Sequence, residues 1–192
     1  MSFDYVGSST IGLGLDCVKN GGQSLLFANT RTSAAKLAVD SGPLIQKTLS
    51  KNELDELSKI SKKILSNNEH TQLVKKLATV VKLGVGFHHA GLNQNCREII
   101  ENEFRDGKIK LLSATPTLAA GVNLPARRVV ISSVLRYNAQ YGGNIPISVL
   151  EYKQLCGRAG RPQYDDEGES IIIGKNNQEL LLEKYEIGRA HV

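Results

Sequence analysis

Residues 24–31 read Ser-Leu-Leu-Phe-Ala-Asn-Thr-Arg, and this stretch decides the fold class that the sequence predicts. A short apolar run, Ser24–Ala28, is followed by polar residues and then by a helical segment, Thr32–Asp40. A run that is continuously apolar, rather than alternating, indicates a strand buried on both faces, as in a parallel sheet. The stretch therefore predicts a strand, a turn and a helix, which is the repeating unit of α/β proteins.

The same unit recurs along the chain. Four more apolar runs are predicted strands, namely Gly84–His88, Ile109–Ser113, Arg128–Ser133 and Ser170–Ile173. The stretches outside these runs supply further predicted helices, namely Thr10–Lys19, Asn52–Leu65, Glu69–Leu83, Asn93–Asp106 and Ile147–Gly157. We therefore expect an α/β fold with one parallel sheet and helices on both faces.

Composition narrows the class of protein. The 192 residues, 41% of them hydrophobic, suit one domain with a sizeable core. The net charge of +5 is only moderately basic, and the lysines of Lys51–Lys63 alternate with acids, which is typical of a solvated helix face. Cys17, Cys96 and Cys156 are far apart and odd in number, so we expect free thiols in a reducing compartment. With neither a signal peptide nor about 18 consecutive apolar residues, we expect an intracellular protein that does not enter a membrane.

Residues 154–162 read Gln-Leu-Cys-Gly-Arg-Ala-Gly-Arg-Pro. Arg158 and Arg161 are three residues apart, and one helical turn would place both guanidinium groups on one face. Small neighbours would let a bulky ligand approach, and two planar charged forks suit the phosphates of a nucleotide. A solvated basic helix end is the alternative interpretation.

Polar residues also follow two of the predicted strands. Thr30 and Arg31 follow the first, and Ser113-Ala-Thr-Pro-Thr117 contains the end of another. Ligands of open α/β sheets bind at the carboxyl ends of strands, where helix N-termini present N–H groups to anions. These residues therefore suit contacts to a phosphate backbone that do not depend on base sequence. The alternatives are that Thr30 is an ordinary N-cap beside a surface arginine, and that Thr117 is the N-cap of a turn at Leu118–Ala120.

His88 ends another predicted strand, and His89 follows it directly. Adjacent side chains of a strand point to opposite faces, so the pair cannot easily share one ion, and we predict no metal site. Gly91 permits close approach of a ligand to the backbone.

Four segments taken together resemble the motifs of a known family. Leu25–Arg31, Phe87–Leu92, Leu112–Pro125 and Gln154–Pro162 resemble, in this order, motifs IV, IVa, V and VI of superfamily 2 helicases. The resemblance is closest to the Ski-type branch and its repair-associated Hjm members, and it extends from about residue 22 to 174. The sequence contains no GxxxxGK[ST] phosphate loop and no acidic box after a strand. The family has both in a first RecA-like domain, so this chain resembles the second RecA-like domain of a two-domain motor.

The resemblance implies roles for particular residues. Arg158 and Arg161 would be arginine fingers toward the γ-phosphate of ATP, with Gln154 bonding near that phosphate or near the acidic box. The remaining expected contacts are to the nucleotide, at Gly121, Asn123 and Gly157, and to the nucleic acid, at Thr30, Arg31, His89, Thr115 and Thr117. We expect the nucleic-acid contacts to share one edge of the sheet and the two arginines to face a separate cleft.

The resemblance also implies the partners. ATP and Mg²⁺ would be held mainly by the first RecA-like domain of the same polypeptide, so this chain alone is predicted to be inactive. The substrate would be single-stranded or forked DNA, with RNA left open, and the protein would be a monomer without membrane contact. A stand-alone nucleic-acid-binding module is the alternative from another class.

Boundaries follow from the same resemblance. Residues 1–187 are predicted to be a helicase C-terminal RecA-like domain. Within it, residues 1–21 would lead in from the first domain, and 51–83 would be a helical insertion packed outside the sheet. Residues 188–192 depart from the family pattern and are predicted to be a vector-derived tail.

Overall fold

The structure is a computed structural model that describes residues 5–118, 122–161, 164–165, 167–174 and 178–186. Its strands are β1 Ser24–Phe27, β2 Val85–His88, β3 Leu111–Ala114, β4 Arg128–Ile131, β5 Leu135–Asn138, β6 Gly143–Pro146 and β7 Glu169–Ile172. Five of them form one parallel sheet in the order β2-β3-β1-β4-β7. These are the five strands that the apolar runs predict, and the parallel α/β fold is confirmed.

The helices are α1 Tyr5–Lys19, α2 Arg31–Gln46, α3 Lys51–Ser66, α4 Gln72–Val81, α5 Gln94–Arg105, α6 Val149–Cys156 and α7 Glu179–Glu186. The six predicted helices are present, and α7 is an addition. Five helices begin at a residue whose side-chain oxygen accepts a backbone N–H bond, namely Thr30, Ser50, Thr71, Asn93 and Ser148. Local sequence therefore defines most of the helix starts.

Helix α2 is longer than the sequence predicts. The prediction ends it at Asp40, yet it continues through Pro43 to Gln46. Proline removes one bond of the helical ladder, but Ile45 beyond it is fully buried in the core. Burial of an isoleucine side chain contributes about 1.5–3 kcal/mol, enough to offset the lost bond.

The core lies against both faces of the sheet. Every residue of β1, β2 and β3 is buried, as the continuous apolar runs predict. The connections β1 to β2 and β2 to β3 run in opposite directions along the sheet. Right-handed crossovers therefore place α2 and α5 on opposite faces. The largest fully buried side chains include Phe27, Phe87 and Phe104.

Helices α3 and α4 pack against each other, and α4 also packs on β2. Their apolar side chains, among them Leu57, Ile64 and Leu77, belong to the main core cluster. Helix α1, in the predicted lead-in, packs on β1, β4 and α2. The predicted boundaries at residues 21, 51 and 83 stay predictions, and residues 188–192 lie outside the described residues.

A short hairpin that the sequence analysis did not predict follows β4. Strands β5 and β6 pair antiparallel, with Leu135 opposite Pro146. Asn29 Nδ2 donates to the Leu135 carbonyl at 2.5 Å, and the Arg136 guanidinium is paired with the Glu151 carboxylate on α6. The hairpin is therefore attached to the carboxyl edge of the sheet and to α6.

Arg128 ties three elements together at the opposite edge. Its Nη1 donates to the Leu13 carbonyl and to Asp16 Oδ2, each at 2.7 Å, and its Nε donates to Glu169. One guanidinium at the start of β4 thereby joins α1 and β7.

None of the described helices is both long and apolar enough to cross a lipid bilayer. Cys17, Cys96 and Cys156 all carry free thiols, as the sequence predicts.

The segment after α6 is held at the amino edge of the sheet by close backbone contact. Ala159 pairs with Ala126 in a parallel bridge. Gly160 adopts φ +92, a conformation that side chains disfavour. A Cβ atom on Gly168 would lie 2.4 Å from the Gly160 nitrogen and 2.6 Å from the Ala159 carbonyl carbon. Only glycine at 168 permits this approach.

We predict that Gly168→Ala destabilises the chain by about 1–3 kcal/mol, because backbone must shift to accommodate the methyl group. The matched control is Gly12→Ala at an exposed site inside α1, where nothing lies within 4 Å of the new Cβ atom. That change should stabilise by about 0.5–1 kcal/mol, since alanine restricts the unfolded chain more. Urea unfolding monitored by circular dichroism measures both, and equal effects of the two changes would contradict the close contact.

Candidate functional site

The predicted nucleic-acid contacts meet at the carboxyl edge of the sheet. His88, Ala114 and Phe27 are register partners across β2, β3 and β1. The residues that directly follow these strands are therefore neighbours, which brings Thr30, His89 and Thr115 to one edge. This is the shared edge that the sequence predicts.

Thr30 begins α2 at this edge. Its Oγ1 accepts the Ser33 backbone N–H at 3.0 Å and donates to Ser33 Oγ at 2.8 Å. Thr30 is thus an N-cap, as the alternative interpretation states, and both it and Arg31 are exposed. A capped helix start with a neighbouring arginine can still receive an anion, because the first N–H groups of the helix point outward.

His89 is more deeply placed than a direct ligand contact requires. His89 is only 3% exposed, and its ring stacks on the Phe87 ring with the two ring centroids 5.5 Å apart. Nδ1 accepts the Gly91 N–H at 3.1 Å. Burial, and then the charge of Arg31, lower the pKa of His89, which favours a neutral ring. The ring supports the turn, so a ligand at this position would meet the backbone.

His88 points elsewhere. Its Nε2 lies 2.7 Å from Glu101 Oε1, and burial lowers its pKa although the carboxylate opposes that shift. Among the described residues, no three His, Cys, Asp or Glu side chains gather as a metal-binding group.

Thr115 and Thr117 lie in the turn that follows β3, at the same carboxyl edge of the sheet as Thr30. Thr115 is buried, Thr117 is exposed, and their hydroxyl oxygens are 2.8 Å apart. A short 3-10 turn spans Pro116–Leu118, and its first carbonyl belongs to Thr115, which accepts the Leu118 N–H at 3.0 Å. Thr117 lies inside this turn and does not cap it, and residues 119–120 of the turn expected after Thr117 lie outside the described residues. Gly121 lies outside the described residues.

A basic hollow of about 490 Å³ opens between α2 and α4 at the same edge. Arg31, Lys36, Lys76 and His89 line it together with small and apolar side chains. Lys36 also pairs with Asp40 at 2.5 Å. Neither Lys36 nor Lys76 was predicted from the sequence. Lys36 lies five residues after Arg31 on one helix, but only the fold brings α4 to this edge.

The two arginines lie at the opposite, amino edge. Helix α6 ends at Cys156 with Gly157 as its cap, so the prediction of both arginines on one helical turn is wrong. The chain leaves the helix because it pairs with the start of β4. The Ala126 N–H donates to the Arg158 carbonyl at 2.9 Å, and the Gly160 N–H donates to the Ala126 carbonyl at 2.7 Å.

Arg158 contacts one other predicted site residue. Its Nη1 donates to Asn123 Oδ1 at 2.9 Å. Gln154, on the last turn of α6, and Gly157, its cap, are both exposed. The structure therefore brings Arg158 and Asn123 into contact and leaves Gln154 open to solvent.

Arg161 is held by two groups that the sequence analysis did not select. Its Nε and Nη2 donate to the two oxygens of Asp165, each at 2.7 Å, and its Nη1 donates to Gln23 Oε1 at 2.6 Å. Residues 165–167 look like a charged loop in the sequence, yet the Asp165 side chain is only 4% exposed. The bond from Arg161 lowers the pKa of Asp165, and the same bond raises the pKa of Arg161.

Arg161 faces a cleft of about 830 Å³ at this edge. The lining residues are Gln23, Arg105, Asp106, Gly107, Asn123, Pro125, Arg161 and Tyr164. The cleft is separate from the carboxyl edge, because its lining comes from residues that precede strands rather than follow them. Arg161 lines this cleft directly, and Arg158 is joined to it through its bond to the lining residue Asn123. Guanidinium groups beside an exposed amide suit the phosphates of a nucleotide.

Comparison with known proteins bears on this arrangement. Residues 9–163 match the family described as the helicase conserved C-terminal domain. The ATP-dependent DNA helicase Hel308 of Methanocella arvoryzae is 46% identical over 172 residues, which cover 88% of this chain and 23% of that protein. The Hel308 of Caldivirga maquilingensis is 41% identical over 182 residues, covering 93% and 24%. The Hel308 of Pyrococcus horikoshii is 40% identical over 175 residues, covering 91% and 24%.

The chain spans about a quarter of the length of these relatives. The matched range contains all four motif-like segments and the strands that carry them. The chain therefore belongs to the family of helicase conserved C-terminal domains, as the Ski-type second RecA-like domain that its motifs resemble.

Proposed function

We propose that this chain is the C-terminal motor domain of an ATP-dependent DNA helicase. Its amino edge would complete the site for ATP held, with Mg²⁺, mainly by a first RecA-like domain of the same polypeptide. Its carboxyl edge would contact the backbone of single-stranded DNA. The observation that supports this best is the separation of the two surfaces, with the arginines at one edge of the sheet and the polar turns at the other.

The amino edge suits a part of a nucleotide site rather than a whole one. Arg158 and Arg161 supply fixed positive charge, and Asn123 supplies an amide beside them. Charge of this kind stabilises the transferring γ-phosphoryl group, and an arginine finger is worth about 10³–10⁵ in rate. The sequence offers no phosphate loop to hold the nucleotide by itself.

The carboxyl edge suits contacts to phosphates. Arg31, Lys36 and Lys76 supply positive charge, while Thr30 and Thr117 supply exposed hydroxyl groups. Lysine and threonine lack the planar two-point groups with which side chains read a base edge. Arg31 lies at the start of α2, where the free backbone N–H groups favour a phosphate. Binding would therefore depend on salt and be largely independent of base sequence.

DNA is preferred to RNA as the substrate because the three relatives compared above are named DNA helicases. A stand-alone nucleic-acid-binding module would use the carboxyl edge alone. It would leave the arginine-lined cleft of the amino edge without a purpose, which favours the motor.

The first prediction from this proposal is that the nucleotide site is divided between two domains. We expect no ATP turnover by this chain alone, and DNA-stimulated turnover once the separately expressed first domain is added, because the arginines act in trans. A coupled phosphate-release assay measures both. Turnover by this chain alone would mean that it contains a complete nucleotide site, and silence of an associated pair would favour the binding module.

The second prediction concerns Arg161. In the protein that contains both domains, Arg161→Ala should lower the kcat for ATP by about 10³-fold or more, since a transition-state charge is lost. Lys47→Ala is the control, because Lys47 is an exposed cation at the far end of α2 from the DNA edge. Unchanged kcat in the Arg161 variant would exclude the proposed finger.

The third prediction concerns the DNA edge. Arg31→Gln should reduce the slope of log K against log salt by about 0.7 for single-stranded DNA, the amount expected from one lost phosphate contact. Lys47→Gln removes the same charge about 24 Å along the same helix and should leave the slope unchanged. Fluorescence anisotropy with two unrelated oligonucleotides measures it, and equal slopes in both variants would place the DNA elsewhere.

A further inference from the structure

We infer that Asp165 and Gln23 are positioning residues, which orient the Arg161 guanidinium so that its remaining N–H groups face the cleft at the amino edge. This inference deepens the proposed function and rests on it, since the orientation matters only if Arg161 meets a phosphoryl group. It adds two residues outside the motif-like arginine segment to the machinery of that cleft.

Asp165 grips one side of the guanidinium. Both carboxylate oxygens are engaged, Oδ2 by Nε and Oδ1 by Nη2, and Oδ2 also accepts the Arg161 backbone N–H at 3.1 Å. A two-point fork fixes the plane of the guanidinium as well as its position. The carboxylate is nearly inaccessible to water, so solvent competes little for these bonds.

Gln23 fixes the other side. Its Nε2 donates to the Phe104 carbonyl at 2.6 Å and to the Ile109 carbonyl at 2.7 Å. Both amide hydrogens are therefore used, and a reversed amide would turn its oxygen toward two carbonyl oxygens. The amide has one stable orientation, in which Oε1 faces Arg161 Nη1. Because Gln23 is 3% exposed, this acceptor is part of the core rather than of a mobile surface.

The three side-chain bonds leave part of the guanidinium available. The group has five N–H donors, and within the described part of the chain three of them are taken by Asp165 and Gln23. One N–H remains on each terminal nitrogen, Nη1 and Nη2, and Arg161 lines the cleft. Two terminal N–H groups on one rigid plane match two oxygens of a phosphoryl group.

The Tyr164 ring lies beside the Arg161 guanidinium on the cleft side. Its ring centroid lies 5.5 Å from the Arg161 guanidinium carbon, and the residue is 76% exposed in the same cleft. The guanidinium is thus held by buried groups and is open on the cleft side. The carboxylate of Asp165 binds the Nε and Nη2 side of the guanidinium and leaves one N–H on Nη1 and one on Nη2. This favours an arginine that Asp165 orients over one that Asp165 keeps from a ligand.

The test uses the full-length protein that carries this chain, with ATP turnover stimulated by single-stranded DNA. Asp165→Ala should lower kcat by about 10²-fold, because a displacement of about 1 Å at a reacting group costs about that much. The KM for ATP should stay within about threefold, since a finger acts mainly in the transition state. Asp165→Glu should recover part of kcat, because it restores a carboxylate to the fork.

Glu167→Gln is the matched control, as it removes a negative charge from an exposed side chain in the same loop. Its kcat should equal that of the unchanged protein. A Gln23→Leu variant tests the second partner and should also lower kcat more than it alters KM. The melting temperature of each variant, measured in parallel, separates loss of orientation from loss of fold.

Four outcomes would overturn the inference. Faster turnover in Asp165→Ala would mean that the carboxylate competes with the phosphoryl group. If Asp165→Ala lowers kcat, ATP affinity and melting temperature together, and Asp165→Glu restores none of them, the bond only stabilises the loop. A full effect of Arg161→Ala combined with normal kcat in Asp165→Ala would leave the proposed function standing and exclude positioning. If Arg161→Ala itself leaves kcat unchanged, the proposed function fails, and the inference fails with it.

Discussion

The parallel direction of the strands in the five-stranded sheet is the constraint on which the rest of the molecule depends. Because every strand points the same way, all the turns that follow strands meet at one edge and all the segments that precede strands meet at the other. Thr30, His89 and Thr115 share the first edge, and Gln23 and Arg161 share the second. Two chemically different surfaces, one of polar turns and one of arginines, therefore arise from one rule of strand direction.

The buried strands and most helices could be predicted from the sequence because they depend on local patterns. Continuous apolar runs such as Ser24–Ala28 indicate strands that are covered on both faces, and the structure has them there. The hairpin of β5 and β6 was missed because Leu135–Asn138 is half polar and only partly buried. Its stability comes from partners distant in sequence, such as Asn29 and Glu151, which no local pattern reveals.

The candidate site could be predicted in its residue types but not in its contacts. Spacing favoured a helical pair of arginines, yet backbone pairing with Ala126 draws the segment out of the helix. Asp165 lies in a run of charged residues in the sequence, and only the fold shows that its carboxylate is buried against Arg161. The Gln23 side chain carries no signal beyond its place before an apolar strand, since the three partners of its amide group lie more than 80 residues away.

The Arg128 guanidinium has a mechanical consequence. It joins α1, near one end of the described residues, to β7, near the other, and it does so at the first residue of β4, the strand that pairs with β7. A pulling force applied between α1 and β7 would load these bonds together with the β4–β7 backbone ladder, because Arg128 and Glu169 are register partners in that ladder. Helix α1 and strand β7 are thereby linked through one side chain, and tension on either element passes directly into β4.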